Sequence, residues 1–184
     1  MQKVVLGLAG EIASGKGTIA KYIVEKYDGS THRFSTMLRD VAGRMYLEES
    51  RENLQKISTI FRQNFSEDIL SKVIFHDADN DAHPVIAVDG VRRFSDIFYL
   101  REMPNFKLVY VEADIEKRFE RIKKRRENTD DAGKTLEQFK KDQEQEAEAQ
   151  IRALKEGADY VVDNNGDFTD LYAQIDNIIK SYQS

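Results

Sequence analysis

Gly10-Glu11-Ile12-Ala13-Ser14-Gly15-Lys16-Gly17-Thr18 is the segment whose residue types and spacing carry the most chemistry. Its G-x-x-x-x-G-K pattern follows the apolar run Val4 to Ala9 and opens a stretch of helical period, the context in which the pattern forms a phosphate cradle. Gly10, Gly15 and Gly17 allow backbone amides to turn inward, Ala13 and Ser14 complete the loop, and the helix N-terminus adds its positive dipole end. Lys16 supplies a mobile point charge for the β and γ phosphates. The expectation is a triphosphate site for ATP with Mg²⁺. The residue after Lys16 is Gly17 instead of the Ser or Thr that usually ligates Mg²⁺, which leaves Thr18 to serve, directly or through water.

Asp89 ends another apolar run, and the carboxyl ends of strands in an open α/β sheet face the ligand crevice. A carboxylate there can hold Mg²⁺ through its waters, the alternative being a plain strand-end Asp-Gly turn. Arg39, Arg92 and Arg93 are candidates to converge on a second phosphate, because a planar guanidinium donates two parallel hydrogen bonds where lysine cannot. Arg118, Arg121 and Arg125 fall three and four residues apart on one helical face, just before the turn-rich break Asn128-Thr129-Asp130-Asp131-Ala132-Gly133. Arg121 and Arg125 are the candidates to stabilise a phosphoryl group in transit while a lid excludes water. The competing reading is a solvated charged helix, given Glu116, Glu120, Lys123, Lys124 and Glu127 around them. Arg44 and Arg62 read as solvated helix polarity. Asn164-Asn165-Gly166 forms a turn whose Asn165 is a candidate to receive the nucleotide base, and the turn also serves purely conformational ends. His32, His76 and His83 are not grouped at ligand spacing, so a zinc site is not expected.

The elements that must position these residues follow from apolar period. Strand-length runs at Val4 to Ala9, Val85 to Val88, Phe106 to Val111 and Tyr160 to Val162, with a fifth strand at Thr31 to Phe34, alternate with helical segments. That alternation predicts α/β with a five-stranded, buried parallel sheet. Lys16 to Tyr27 and the segment carrying Leu171, Ile175, Ile178, Ile179 and Tyr182 are helices that pack on it. Leu54, Ile57, Phe61, Phe65, Ile69, Leu70, Val73 and Ile74 predict one or two helices inserted between strands, and Asp114 to Glu156 a helical hairpin or lid. The chain of 184 residues thus reads as one domain, with its core at about 1–34, 79–125 and 150–184, an acceptor-binding insertion at about 35–78 and a lid at about 126–149. The net charge of -5 argues against a nucleic-acid surface. With no cysteine and no run long enough to span a bilayer, a cytoplasmic protein acting on a small molecule is expected, away from membranes. Its oligomeric state is open.

Gly10 to Thr18 resembles the loop of adenylate kinase and related nucleoside monophosphate kinases. Ser35-Thr36-Met37-Leu38-Arg39 resembles that family's S-T-G-D-M-L-R segment with two residues missing, and Asp89-Gly90-Val91-Arg92-Arg93 resembles its D-G-F-P-R. The departures are Ala13, where the family usually has a glycine, and the missing Gly-Asp before Met37. The resemblance implies a P-loop three-layer α/β/α fold and transfer of the γ-phosphoryl of ATP to a nucleoside or deoxynucleoside monophosphate. It assigns Arg39, with Arg92 or Arg93, to the acceptor phosphate. Arg51-Glu52-Asn53-Leu54-Gln55 resembles an element of phage-type deoxynucleoside monophosphate kinases, and the Asn164 turn resembles one in dephospho-coenzyme A kinases. Dephospho-coenzyme A kinase and a non-catalytic nucleotide-binding switch are the competing readings.

Overall fold

In the computed structural model, which describes residues 3–125, 135–143 and 146–183, the five strand-length runs form one all-parallel sheet. Its strands are β1 (Val4–Ala9), β2 (Ser30–Arg33), β3 (Val85–Val91), β4 (Phe106–Glu112) and β5 (Tyr160–Asp163), in the order β2-β3-β1-β4-β5. The central β1 is buried along its whole length, as a strand covered by helices on both faces must be. Each buried Val or Leu of this sheet contributes roughly 1.5–3 kcal/mol of transfer free energy.

The helix α1 (Lys16–Tyr27) spans the predicted residues and turns Ile19, Ala20 and Ile23 onto the sheet. Asp28, in the left-handed region, stops it. The C-terminal helix α8 (Phe168–Gln183) lays Leu171, Ile175, Ile178 and Ile179 beside α1, completing one layer. The opposite layer comprises α2 (Phe34–Arg44), α3 (Arg51–Asn64) and α4 (Ile69–Asn80), inserted between β2 and β3, with Ile151 and Leu154 packing from the far end of the chain. Two 3₁₀ turns, Phe94–Ile97 and Leu100–Glu102, link β3 to β4. After β4 come α5 (Ile115–Arg125), α6 (Leu136–Asp142) and α7 (Glu146–Ala153). The turn-rich break from Asn128 to Gly133, within the region expected to form a lid, falls at 126–134, outside the described residues. Among those described, no helix is long and apolar enough to cross a membrane.

Among the strand ends that differ from expectation, those of β2 and β3 matter for the site. The second strand runs from Ser30 to Arg33, one residue earlier than predicted, because Phe34 is buried as the first residue of α2. Arg33 therefore closes the strand in an extended conformation at the carboxyl edge of the sheet. The third strand does not stop before Asp89. Leu8 pairs with Asp89 and Ala9 with Val91, so Gly90, at φ 91°, is an extra residue that bulges the strand. Asp89 is consequently held inside a strand instead of in a free turn.

Candidate active site

β1 delivers the chain to Gly10, and α1 begins at Lys16, so the intervening loop wraps the N-terminus of α1. Two glycines make that wrap possible. Gly10 has φ 140°, and a Cβ there would meet the Val111 carbonyl oxygen at 2.3 Å; Gly15 has φ 114°, and a Cβ there would meet Asn164 Nδ2 at 2.0 Å. Ala13 also sits in the left-handed region, at φ 59°, a conformation that costs an L-residue about 1–2 kcal/mol. Packing of Ala13 and Ile12 against Phe119, Ile122 and Phe139 offsets that strain and docks the loop on α5 and α6. α1 opens with no capping side chain and no acid in its first turn, so its first N–H groups and positive dipole end are left for an anion. Lys16 Nζ lies against the loop, donating to the Gly10 carbonyl at 2.6 Å and the Glu11 carbonyl at 2.9 Å. This cradle fits a polyphosphate.

The loop is braced from behind by side chains whose roles sequence reasoning missed or misplaced. Asn164, buried after β5, donates from Nδ2 to the Ser14 carbonyl at 2.6 Å, and its own carbonyl accepts from Arg121 Nη2 at 2.8 Å. Arg121 Nη1 also reaches the carbonyls of Ala13 and Ser14, at 3.3 and 3.4 Å. Burial lowers the pKa of this half-buried guanidinium. Asn165, the residue singled out from the sequence, has its side chain committed locally. It accepts from the Asp114 amide at 2.8 Å and donates to Asp163 at 2.7 Å. Buried Arg118 ties Glu11, Gln143 and the Ile12 carbonyl together, and Arg152 on α7 is the second partner of Glu11, at 3.3 Å. Glu11, Tyr110, Glu112, Asp114, Arg152 and Lys155 border a cavity of about 310 Å³ on this side of the loop. Burial, with Glu11 and then Glu112 adding to it, pushes the Tyr110 phenol up to about 12. Arg125 stands one turn beyond Arg121 on α5, and its side chain lies outside the described residues.

On the other side of the loop, β2 and β3 bring Arg33 directly opposite Asp89. Arg33 Nη2 is 3.0 Å from Asp89 Oδ2, and it is the nearest atom, at 3.8 Å, to where a Cβ on Gly17 would stand. Thr18 is half-buried in the first turn of α1, its amide bonded to the Gly15 carbonyl at 3.0 Å. Among the described residues no three acidic or histidine side chains are grouped to hold a metal. A nucleotide-borne Mg²⁺ requires no such cage, since it keeps several waters and binds through one carboxylate plus phosphate oxygens, a set that Asp89 and Thr18 fit.

The three arginines expected to converge are engaged differently. Arg39 pairs with Glu49 at 3.4 Å, Arg93 with Glu67 at 3.2 Å, and Arg92 is exposed. Behind them, Asp96 Oδ2 accepts the amides of Arg92 and Arg93, at 2.9 and 3.2 Å, and Asp96 Oδ1 lies 2.6 Å from Arg62 Nη2. Arg62 corrects the expectation of solvated helix polarity. Its side chain is only 8% exposed, because α3 packs it against the turn that follows β3.

A parallel five-stranded sheet with a glycine-rich loop between β1 and α1, and with Lys16 opening the helix, defines a P-loop α/β protein. The chain belongs to the AAA domain family, which it matches over residues 9–140. It is 27% identical over 179 residues to a UPF0200/UPF0201 protein of Archaeoglobus fulgidus, an alignment covering 95% of this chain but only 54% of that relative. A UPF0200 protein of Thermococcus kodakarensis is 27% identical over 181 residues, covering 96% of this chain and 95% of the relative. Among solved structures, shikimate kinase from Bacteroides thetaiotaomicron superposes with a TM-score of 0.64 at 13% identity, covering 98% of this chain and 99% of the other. A likeness at that identity establishes a shared α/β fold and nothing of the activity.

Proposed function

We propose that this chain is a nucleotide-binding phosphotransferase that moves the γ-phosphoryl group of ATP to a small phosphate-bearing acceptor, a nucleoside or deoxynucleoside monophosphate. The observation that carries the reading beyond nucleotide binding is Arg33. A guanidinium at the end of β2, beside Asp89 and the loop, suits an acceptor that arrives as an anion. It cannot act as a general base, which an acceptor hydroxyl such as that of dephospho-coenzyme A would need. A phosphate nucleophile is already ionised and needs none.

In this reading the loop amides from Gly10 to Gly17, with Ala13, Ser14 and Gly15, hold the donor phosphates, and Lys16 neutralises their charge. Thr18 and Asp89 would hold Mg²⁺, which would supply charge neutralisation to the donor phosphates. Arg39 and Arg92 bind the acceptor phosphate. Arg92 is preferred to Arg93, whose guanidinium is engaged with Glu67. Arg121 fixes the loop, and Arg125 is assigned to the transferring group on the family resemblance alone. No covalent intermediate on the protein is required, so catalysis amounts to alignment and charge complementarity. The site acts on a small molecule and involves neither nucleic acid nor membrane.

The test is ADP release from Mg-ATP across a panel of ribo- and deoxynucleoside monophosphates plus dephospho-coenzyme A, with Lys16→Ala as the blank. Turnover dependent on a monophosphate and lost in the blank is expected. Turnover with dephospho-coenzyme A alone would assign the hydroxyl-directed reaction, and ATP binding without any acceptor effect would leave a nucleotide-binding switch.

A further inference from the structure

Asp89 has two suitors. It is the carboxylate best placed for the metal of a bound nucleotide, and it is the ion partner of Arg33. The two uses compete, since the single negative charge of Asp89 cannot fully neutralise both a hard cation and a guanidinium. What decides the contest is that the pair is unequal. Asp89 is fixed within a bulged strand, and its side chain is 13% exposed, whereas the Arg33 side chain is 50% exposed. A half-exposed guanidinium keeps much of its hydration and gains only modestly from the pair, and a divalent ion brings twice its charge to the same carboxylate.

Once displaced, Arg33 does not travel far. Its backbone is pinned by the register with Asp89 and by buried Phe34 immediately after it, so only the flexible side chain moves. The space before it is open because residue 17 is glycine. A Cβ there would already stand at contact distance, 3.8 Å, from the guanidinium. Gly17 and Arg33 are therefore complementary: the small residue leaves room for a cation beside the loop. A cation released there next to the loop faces the place where an acceptor phosphate must approach.

We infer that Arg33 and Asp89 form a counter-ion latch that makes acceptor binding depend on the metal nucleotide: metal at Asp89 releases Arg33, and Arg33 then binds the acceptor's phosphate. The inference rests on the phosphotransferase reading above. It implies an order of binding, donor before acceptor, which limits encounters in which an acceptor occupies the site without its phosphoryl donor. Arg33 is here a specificity residue for phosphate-bearing acceptors.

Calorimetric titration with the eight common ribo- and deoxynucleoside monophosphates, with and without Mg²⁺ and the non-hydrolysable β,γ-imido analogue of ATP, tests it without relying on turnover. In the natural chain at least one monophosphate is expected to bind about tenfold or more tightly when Mg²⁺ and the analogue are present. Asp89→Asn, which frees Arg33 without metal, is expected to bind that monophosphate about equally with and without them, and more tightly than the natural chain does without them. Arg33→Ala is expected to lose about tenfold or more in monophosphate affinity while keeping its affinity for the analogue, which also reports that the variant is folded, and Arg33→Lys to recover part of the loss. A monophosphate that binds Arg33→Ala as well as the natural chain, or Asp89→Asn no better than the natural chain without metal, overturns the latch and leaves the phosphotransferase reading standing. Analogue binding with no monophosphate bound under any condition overturns both.

Discussion

Asn164 is the side chain on which the shape of the phosphate loop depends most directly, since its amide fills the space where a Cβ on Gly15 would stand and its Nδ2 satisfies the Ser14 carbonyl. Asn164→Ala is expected to cost about 1–3 kcal/mol of stability by orphaning buried polar groups. It should also weaken ATP-analogue binding, whereas Asn165→Ala, whose side chain bonds to Asp114 and Asp163 and to no residue of the loop, should change binding little; paired denaturation and calorimetric titrations separate the two. A second residue-scale prediction concerns Asp81, which joins Ser30, His32 and His83 in front of β3. Burial raises its pKa, but the Ser30 hydroxyl, the His83 amide and ring and His32 outweigh burial and hold it well below its ordinary value of 3.8. A carboxylate depressed in the folded state stabilises the fold above its unfolded value and loses that contribution as the pH falls below about 4. Asp81→Asn is therefore expected to lower the Tm at pH 7, by roughly 2–8 °C for a loss of about 1–2 kcal/mol. The gap from the natural chain should narrow on acidification toward pH 3; a gap independent of pH between 7 and 3 would exclude the charge as its source. Why the loop was legible in the sequence and Arg33 was not follows from range. Every group of the cradle lies within nine consecutive residues, whereas Arg33 gains its meaning only from lateral pairing with Asp89, far away in the chain.

At the scale of elements, a buried ion pair, Arg62 on α3 to Asp96 after β3, ties the inserted helices to the site in addition to their apolar packing. Asp96 also holds the amides of Arg92 and Arg93, so the pair sets where the arginines proposed for the acceptor leave the backbone. It is not an efficient stabiliser. Arg62 Nε is buried without a hydrogen-bond partner, and desolvating two charges offsets much of their attraction. Its value is positional. Arg62→Met should cost about 3–5 kcal/mol by leaving Asp96 buried and uncompensated. Arg62→Met combined with Asp96→Asn should cost less than the single change, which urea denaturation of the two variants measures. Acceptor KM should rise in both, because Asp96, which holds the Arg92–Arg93 backbone, loses the ion pair that fixes its own position. The elements themselves were largely legible, since apolar runs and helical period survive in any context. The exceptions are instructive: β2 reads Ser30-Thr31-His32-Arg33, an edge strand with no apolar pattern to mark its end, and β3 continues through Asp-Gly because pairing with β1 absorbs Gly90 as a bulge. Local turn chemistry predicted a stop there, and the sheet overrode it.

On the scale of the whole molecule, the carboxyl edge of the sheet divides at β1. The loop, α5 and the Asn164 turn lie on the β4–β5 side, and Arg33, Asp89 and the Arg92–Arg93 backbone lie on the β3–β2 side. A donor held by the first half and an acceptor held by the second would meet across β1 without either half having to be built for both. That division has a measurable consequence. A ligand in which two nucleosides are joined through five phosphates engages both halves at once only if they are separate subsites sharing one edge. The second half then binds at an effective concentration set by the linker, and affinity should exceed that of the ATP analogue by about 10²–10⁴-fold. Because such a ligand binds only the folded chain, the same gain should appear as a further rise in Tm at equal ligand concentration. Arg33→Ala should remove most of the gain while leaving ATP-analogue binding intact, and Lys16→Ala should remove both. A joined ligand that binds no better than the analogue would place donor and acceptor in a single pocket on the β4–β5 side, where the cavity between Glu11 and Arg152 would become the site to probe next.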